Sequence, residues 1–383
     1  MDLSFTEEQT LLRASLAAFL ADHYDFETRR RAVAADPGWR REIWRAFATD
    51  LGILGAAMPA EAGGSGGGPV ETLVIMEELG RALVVEPYLG AVVLAGGTLK
   101  RVNQSSARAA LAEIVAGDLI PAVAFAEPRG RYDWRRLSTT ARRDGAGWVL
   151  TGRKAVVTGA PWSTHFIVTA RTGGAPGETE GVSAFWVEAG AAGVSTRDYE
   201  TIDGGRASDV TFENVRLPAD ALLGPEGGAW PLVEQALDEA TAAVCAEAVG
   251  VLSRAHEMTV AYTKERRQFG QPLSAFQVLR HRMVDMYIQL EQAVSMTRLA
   301  TIALSDPDPA GRARAVSGAK VQAGMACRFV GQQAIQLHGG MGMTDELAVG
   351  SYFKRATVIE SQFGDTDHHL ARFEALSFGL ART

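Results

Sequence analysis

The sequence is poor in cysteine, in positive charge and in long apolar runs, and each shortage excludes a class of protein. Its 383 residues include only Cys245 and Cys327, which leaves no disulfide framework and no metal-ligand spacing and fits a reducing cytoplasm. The net charge of −7 argues against nucleic acid as a main partner. No apolar run approaches membrane-spanning length and no signal-peptide pattern follows Met1, so we expect a protein that is neither exported nor inserted into a membrane.

What the chain does contain is an ordinary globular balance, with 47% hydrophobic and 22% charged residues over a length that allows two or three domains. Helical periodicity begins after Thr6, whose side chain can form a capping box with Gln9. The apolar positions of this first helix are Leu11, Leu12, Leu16, Phe19 and Leu20. The glycine-rich residues 63–69 are predicted to form a loop within the same helical domain.

The pattern changes between residues 119 and 225. Short runs rich in β-branched and aromatic residues predict strands near 147–151, 165–169, 182–187 and 210–212. Beyond residue 226 the helical period returns, and one long helix carries an apolar face interpreted as core packing, made of Leu279, Met283, Met286, Tyr287, Leu290 and Val294. We therefore predict an α+β fold with an N-terminal helical domain at 1–118, a central β-barrel-like domain at 119–225 and a C-terminal helical bundle at 226–383.

Two blocks of the sequence carry chemistry. The first is Arg266-Arg267-Gln268-Phe269-Gly270-Gln271-Pro272-Leu273, with Phe276 and Gln277 shortly after it. A planar guanidinium such as that of Arg266 can meet a pyrophosphate with paired, charge-assisted hydrogen bonds, although a basic run at a helix end is also ordinary solvated surface. The second block runs from Gln332 to Gly342. Its glycines suit a turn that approaches a ligand closely, and they are equally compatible with a plain helix C-terminus.

In this order and at this separation, the two blocks resemble the flavin-binding segments of the acyl-CoA dehydrogenase family, and the succession of helical, β and helical regions resembles that family over essentially the whole chain. The resemblance implies FAD as the cofactor and no metal. It assigns FAD contacts to Arg266, Phe269, Leu273, Phe276, Gln277, Gln336, Gly339 and Gly340, and also to Thr158 and Thr366. His338, beside the glycines, is interpreted as a packed histidine and not as a base.

The catalytic base of the family is missing from its usual places. Family members remove the proton α to the thioester with a glutamate while the β-hydrogen leaves as hydride. The resemblance puts Gly364 at the usual position of that glutamate and Ala240 at the alternative one. The remaining candidates are Asp365, Glu247 and Glu239, and each is interpreted first as a structural or solvated carboxylate. The Gly364 N–H can still donate to a thioester carbonyl.

The β domain departs from the family in two places. Glu127-Pro128 is followed by Arg129-Gly130-Arg131-Tyr132-Asp133-Trp134, where relatives carry a small and flexible loop. This bulky, basic loop is either a repurposed pocket for a phosphate or carboxylate, or a site no longer used. Close to Thr158, valine stands where relatives place a tryptophan over the flavin.

The residues that relatives contribute across a subunit interface are kept, whereas those that serve a subunit's own site are altered. This asymmetry resembles the partner subunits of α2β2 acyl-CoA dehydrogenases, in which another chain supplies the base and the acids are bulky, including steroid side chains. Segments 24–30 and 363–373 also resemble small subunits of pimeloyl-CoA dehydrogenases, which adds dicarboxylic acids. The implied partners are a second acyl-CoA dehydrogenase chain, an acyl-CoA substrate and electron-transfer flavoprotein, in the β-oxidation of lipids.

Two alternatives stay open at this stage. The chain could be a self-sufficient homo-oligomeric dehydrogenase with a base relocated to Asp365 or Glu247, which requires turnover by this chain alone. It could instead be a non-catalytic acyl-CoA-binding scaffold, which requires little or no flavin and no stimulation of a partner.

Overall fold

The computed structural model describes residues 5–379, and the sequence-based expectation for the residues that follow Met1 lies largely outside them. The chain divides into two compact units. Unit 1 comprises residues up to 31, residues 69–84 and residues from 241 on, and unit 2 comprises residues 32–68 and 85–240. Helices and an eight-stranded sheet both occur, so the predicted α+β class is confirmed. The boundaries of the three predicted domains stay a prediction.

The helices of the described residues are, in chain order, α1 (Glu7–His23), α2 (Phe26–Ala34), α3 (Arg41–Thr49), α4 (Pro69–Arg81), α5 (Gly97–Leu99, continuing a π-helical segment Tyr88–Gly96), α6 (Ser105–Ala116), α7 (Trp230–Glu265), α8 (Gln277–Ala303), α9 (Pro309–His338), α10 (Val349–Ser361) and α11 (Thr366–Phe378). The strands are β1 (Pro121–Ala124), β2 (Thr140–Asp144), β3 (Gly147–Thr158), β4 (His165–Arg171), β5 (Val182–Glu188), β6 (Val194–Glu200), β7 (Arg206–Leu217), β8 (Leu222–Leu223), β9 (Arg267–Gln268) and β10 (Gln271–Pro272).

The start of α1 follows the sequence closely. The Thr6 N–H donates to Oε1 of Gln9 at 3.0 Å, and the Gln9 N–H donates to Oγ1 of Thr6 at 3.2 Å, which confirms the capping box. Leu16 and Leu20 are buried as expected, but Leu11 is 65% exposed. Each helical residue turns the side chain by about 100°, and Leu11 lies at the margin of the face that the other leucines share.

Helices α4 and α7 cross in unit 1 at two glycines. A Cβ built on Gly80 would lie 2.3 Å from the carbonyl oxygen of Glu247, and a Cβ built on Gly250 would lie 1.9 Å from that of Glu77. The two backbones are therefore in direct contact, which only glycine permits. Next to the crossing, Arg81 donates to both carboxylate oxygens of Glu257 at 3.0 Å.

Helix α9 is the centre of unit 1, because α8, α10 and α11 all pack on it. Asp308 caps its first turn by accepting from the N–H groups of Ala310 and Gly311, and Pro309 occupies the first helical position. Its buried side chains are mostly small, so the neighbouring helices come close. On α8 the predicted apolar face holds for Met283, Met286 and Leu290, which are buried, but Tyr287 is 50% exposed at its edge, with its ring against His256.

Unit 2 contains the sheet. The strands follow the order β6-β7-β3-β2-β4-β5-β8, with β1 paired to β4. Each predicted strand is present, and β3 and β7 are longer than expected. One apolar core lies against the sheet and draws on all strands from β1 to β7, with Trp148, Phe166, Phe185 and Phe212 as its largest members. The predicted loop before α4 is confirmed except for Pro69, which opens the helix because proline is favoured there.

We expect Gly250→Ala to lower the free energy of unfolding by about 2 kcal/mol, because the added methyl cannot fit between α7 and α4. Urea denaturation measures the change. Gly190→Ala is the matched control, since Gly190 is exposed and no heavy atom lies within 4 Å of its Cβ position. Equal stability of the two variants would contradict the close contact at the crossing.

Candidate functional site

The two chemistry-bearing blocks meet because the end of α7 is joined to the end of α9. The Tyr262 ring stacks on the His338 ring with centroids 4.4 Å apart, and the Tyr262 hydroxyl donates to the His338 carbonyl at 3.4 Å. Arg266 lies one helical turn beyond Tyr262, to whose carbonyl its N–H donates at 2.8 Å. Gly339 directly follows His338. The stack therefore brings Arg266 and the glycine turn into one neighbourhood of unit 1.

The segment after Arg266 is a tight hairpin. β9 and β10 pair through Gln268 and Gln271, and the two turn residues between them, Phe269 and Gly270, have φ of +53° and +80°. Positive φ is costly for phenylalanine, yet the turn leaves its ring 92% exposed, with the Phe276 ring edge-on at 6.2 Å. The Leu273 N–H closes the loop by donating to the Arg266 carbonyl at 2.8 Å. The hairpin thus presents a strained aromatic residue to the outside.

Three polar side chains of this surface have no partner within the described chain. Arg266, Gln277 and Gln336 are exposed, and among residues 5–379 none of their side chains has an ion-pair or hydrogen-bond partner. No heavy atom lies within 4 Å of a Cβ built on Gly339 or Gly340, so a ligand can approach the backbone there. We call the residues 266–277 and 336–340 the hairpin–glycine surface. Its free guanidinium, amides and open backbone suit a pyrophosphate.

His338 supports this surface from beneath. Its ring is buried, Nδ1–H donates to the Ala334 carbonyl at 2.8 Å, and burial lowers the pKa of the imidazole. A neutral ring held by a helix carbonyl on one side and the Tyr262 ring on the other is a packing element. This geometry agrees with its interpretation as a packed histidine.

In unit 2, Thr158 ends β3 just after an irregularity of the strand. The pairing of β3 with β7 shifts register between Lys154 and Val157, and Val156 within this bulge has a φ of +53° and is 60% exposed. The Val156 N–H donates to Asp209 instead of to a strand carbonyl. Bulges re-aim side chains at the ends of strands. Here the bulge leaves both Val156 and Thr158 exposed.

Glu127 and Lys154 form a buried ion pair of unit 2, with Lys154 Nζ 2.9 Å from Oε1. The same carboxylate accepts from the N–H groups of Ser138 and Thr139 at 2.7 and 3.0 Å. Burial alone would raise the pKa of Glu127, but Lys154 and Ser138 outweigh it and hold that pKa at about 2. Burial lowers the pKa of Lys154 to about 8, although Glu127 opposes the shift. Glu127 thereby clamps the two ends of the basic loop together.

The loop itself is ordered by its aromatic residues. Trp134 packs edge-on against Phe125 with centroids 5.3 Å apart, and Asp133 pairs with Arg135 at 3.0 Å. Arg129 and Arg131 are exposed, and the φ of Arg131 is +46°. The loop is a folded part of the unit with arginines on its outer side.

Neither usual base position carries an acid, and both are closed. Ala240 on α7 is fully buried. Gly364 is a buried residue with a φ of +109° in the turn between α10 and α11. Among the described residues, the Gly364 N–H has no hydrogen-bond acceptor. An unpaired N–H in a buried residue is rare, so this donor lacks a partner that a ligand would supply.

The three candidate carboxylates all have structural partners. Glu247 is buried in a bidentate pair with Arg355, with both nitrogen–oxygen distances 2.6 Å. Glu239 pairs with Arg101 and with Lys100, the latter at 3.0 Å. Asp365 caps α11 by accepting from the His368 N–H at 2.8 Å.

The remaining FAD-contact candidate, Thr366, is the first residue of α11. Its hydroxyl donates to Oε1 of Glu360 at 3.1 Å, and its lone pairs remain available to a donor.

Three residues with a bearing on these sites were not singled out from the sequence: Tyr262, Lys320 and His369. Tyr262 could have been found as the residue one helical turn before Arg266. Lys320 lies on the buried stripe of α9 between Val316 and Ala323, at a spacing that otherwise carries small apolar residues. A lysine on such a stripe is a signal in its own right. His369 has no comparable sequence signal.

Two further findings concern the described part of the chain. Within residues 5–379 no group of three or more His, Cys, Asp or Glu side chains could hold a metal ion. No helix among those residues combines the length and apolarity needed to cross a bilayer.

Known proteins resemble this chain along its length. Profiles described as the N-terminal, middle and C-terminal domains of acyl-CoA dehydrogenase match residues 6–118, 122–215 and 227–374. Acyl-CoA dehydrogenase FadE12 of Mycobacterium tuberculosis is 31% identical over 368 residues, which covers 93% of this chain and 92% of that protein.

Two solved structures also resemble this chain over nearly its whole length. A variant of the Tcur3481-Tcur3483 steroid ACAD has a TM-score of 0.87 at 31% identity, with 97% of this chain and 98% of that chain covered. The ChsE4-ChsE5 complex from Mycobacterium tuberculosis has a TM-score of 0.90 at 27% identity, with 99% of each chain covered.

We expect Tyr262→Leu to weaken the affinity for FAD roughly tenfold, because an aromatic stack is worth up to about 1.5 kcal/mol and here holds Arg266 beside the glycine turn. Tyr262→Phe keeps the ring and should stay within about threefold of the unchanged protein. Fluorescence titration of the flavin-free protein measures both, well below the melting temperature of each variant. Equal affinities of the leucine and phenylalanine variants would show that the stack does not position the surface.

Proposed function

Because the chain belongs to the acyl-CoA dehydrogenase family, an oxidoreductase family of FAD flavoproteins, we propose that it is the base-lacking subunit of a heteromeric acyl-CoA dehydrogenase. In this role it completes the FAD site of a second, catalytic chain. The predicted cofactor is confirmed by the family. The heteromeric role is a proposal that rests on the state of particular side chains.

The hairpin–glycine surface fits the cofactor. Arg266 would pair with the pyrophosphate, Gln336 and the backbone at Gly339 and Gly340 would contact its oxygens or the ribose, and Phe269 would lie against an apolar part of the ligand. The support is that these side chains are exposed and unpaired in the described chain while the glycine backbone is open. When bound, FAD supplies the acceptor for the hydride that leaves the β-carbon of the thioester.

The observation that carries the proposal is the engagement of every candidate carboxylate. Glu247 is locked to Arg355 in a bidentate pair, Glu239 to Arg101, and Asp365 to the first turn of α11. Taking a proton at Glu247 would leave the Arg355 guanidinium buried without its counter-ion, which is costly. With Gly364 and Ala240 at the usual positions, none of these three carboxylates is free to act as the base.

The turn at Gly364 retains a hydrogen-bond donor for the thioester, although it lacks the base. Its N–H is buried and has no acceptor among residues 5–379. A thioester carbonyl placed there would accept this hydrogen bond and gain stabilisation of enolate-like charge. The chain would thus bind and orient a thioester without moving its proton.

A second chain is supported by an uncovered apolar face. On α8 the side chains of Val278, Val284, Ile288 and Leu299 are 46–62% exposed on one side of the helix. Apolar groups clustered at this level of exposure are typical of interfaces. The ChsE4-ChsE5 neighbour is a complex of two named chains and the Tcur3481-Tcur3483 neighbour is a steroid ACAD, which supports a heteromer acting on a bulky, steroid-type thioester. Electron-transfer flavoprotein as acceptor and a cytoplasmic location stay predictions.

The decisive experiment compares this chain alone with the chain co-expressed with a base-containing acyl-CoA dehydrogenase. We expect a heteromer with about two FAD per four chains and turnover by the pair only. Asp365→Asn keeps a cap at α11 and should leave the activity of the pair nearly unchanged. Turnover by this chain alone, lost by several orders of magnitude in Asp365→Asn or Glu247→Gln with FAD retained, would establish the self-sufficient alternative. No flavin in either preparation would support the scaffold.

We expect Arg266→Ala to remove most of the FAD from the purified pair and to abolish its activity, because the pyrophosphate loses the unpaired guanidinium assigned to it. Flavin absorbance per chain measures the loss. Arg314→Ala is the matched control: Arg314 is an exposed arginine of α9, about 36 Å along the helix from His338. Retention of FAD in the Arg266 variant, or equal loss in the control, would contradict the assigned role.

A further inference from the structure

The turn that carries Gly364 has an unusual backbone. Phe363 has a φ of +58° and Gly364 a φ of +109°, so two consecutive residues adopt conformations that L side chains rarely take. Strain of this kind persists only where the surroundings hold it in place. Two buried side chains outside the turn contact its two carbonyl groups. Lys320 contacts the Gly364 carbonyl, and His369 contacts the Phe363 carbonyl.

Lys320 is fully buried on α9, and its Nζ donates to the Gly364 carbonyl at 2.7 Å and to the Glu360 carbonyl at 2.8 Å. Burial lowers the pKa of this ammonium, a cost that its two hydrogen bonds offset. The pair of bonds ties the last turn of α10 to the carbonyl side of Gly364. Rotation of that peptide would leave the Lys320 head group buried with a bond missing.

His369 holds the preceding peptide. Its Nε2 lies 2.9 Å from the Phe363 carbonyl, and Nδ1 lies 3.4 Å from Oγ of Ser317. A carbonyl only accepts, so Nε2 carries the proton and Nδ1 accepts from the serine. Burial, together with the nearby Lys320, holds the pKa of His369 well below its ordinary value. The ring therefore stays neutral and keeps this single orientation.

His369 and its neighbour His368 close the space beside Gly364. A Cβ built on Gly364 would lie 2.6 Å from Cδ2 of His368 and 2.7 Å from Nε2 of His369. Both distances are far below van der Waals contact. Relieving them by moving His369 would break its bond to the Phe363 carbonyl. In this conformation the backbone N–H of residue 364 can still donate a hydrogen bond, but there is no room for a side chain at that position.

We propose that Lys320 and His369 are positioning residues that fix the Phe363–Gly364 turn so that it presents the Gly364 N–H to a thioester carbonyl and excludes a side chain at residue 364. This inference rests on the proposed function, in which the turn contacts the thioester. The missing base is then a property of the surrounding residues on α9 and α11, and replacing Gly364 alone does not restore it.

The test compares two ligands of the purified chain that differ only in the carbonyl: butyryl-CoA and its thioether analogue S-butyl-CoA. The unchanged chain should bind the thioester roughly tenfold more tightly, the upper range for one hydrogen bond. Lys320→Met should bring the ratio of the two dissociation constants close to one. Arg328→Met, which removes an exposed cation on the same helix paired with the Glu360 side chain at 2.9 Å, should leave the ratio unchanged.

The variants His369→Leu and His369→Gln ask the same question without altering a buried charge. Glutamine can still donate to the Phe363 carbonyl and should keep most of the ratio, whereas leucine should lose it. A general loss of stability would weaken both ligands equally and leave the ratio intact. An unchanged ratio in Lys320→Met and His369→Leu would overturn the positioning role. A ratio of one in the unchanged chain, or binding of neither ligand, would instead contradict the proposed thioester contact itself.

A second measurement tests the excluded side chain. Gly364→Ala should lower the melting temperature by several degrees, and adding His368→Ala should recover part of the loss because the facing ring is gone. Gly364→Glu should give no dehydrogenase activity in the chain alone. Additive losses in the double variant, or a stable Gly364→Glu chain that turns over, would overturn the steric part of the inference.

Discussion

The packing of α9 is the constraint on which unit 1 depends. Small side chains along its buried stripe let α8, α10 and α11 approach, and a close-packed interior leaves little freedom for what is attached to it. Each end of the helix then has a local task. Asp308 fixes where the helix begins, and the His338 ring fixes where it ends against Tyr262. Between them, Lys320 reaches from the stripe to the end of α10. Both the open glycine turn and the closed Gly364 turn are held by this one helix.

The polar side chains discussed above fall into two groups: those with an ion-pair or hydrogen-bond partner within the described chain, and those without one. Glu247, Glu239 and Glu127 each satisfy a buried or half-buried cation, and freeing one of them for chemistry would strand its partner. Arg266 and Gln336 have no such partner in the described chain. Groups without internal partners are available to ligands at little cost, whereas groups with them belong to the fold. This division separates the exposed groups of the hairpin–glycine surface from the carboxylates that hold the fold together.

The sequence predicts local features well and long-range pairings poorly. The capping box at Thr6 and the strands follow from spacing and residue type within a few positions. The partner of Glu247 is Arg355, 108 residues away, and no periodicity links them. Tyr287 was misjudged because the edge of an apolar face is set by the neighbouring helix and not by the helix itself. The conformation at Gly364 depends on Lys320 and His369. These residues lie on α9 and α11, and no local pattern in the sequence predicts that they contact the turn.

The bonds formed by Glu127 hold the two ends of the basic loop independently of the residues between them. Because the carboxylate binds Ser138 and Thr139 while Lys154 holds it from below, the two ends of the basic loop are fixed by residues outside its variable middle. Such a frame holds both ends of the loop whatever side chains stand at its exposed positions Arg129 and Arg131. Diversification of the loop then carries a small risk to folding, and a chain built this way can acquire new surface chemistry there one substitution at a time.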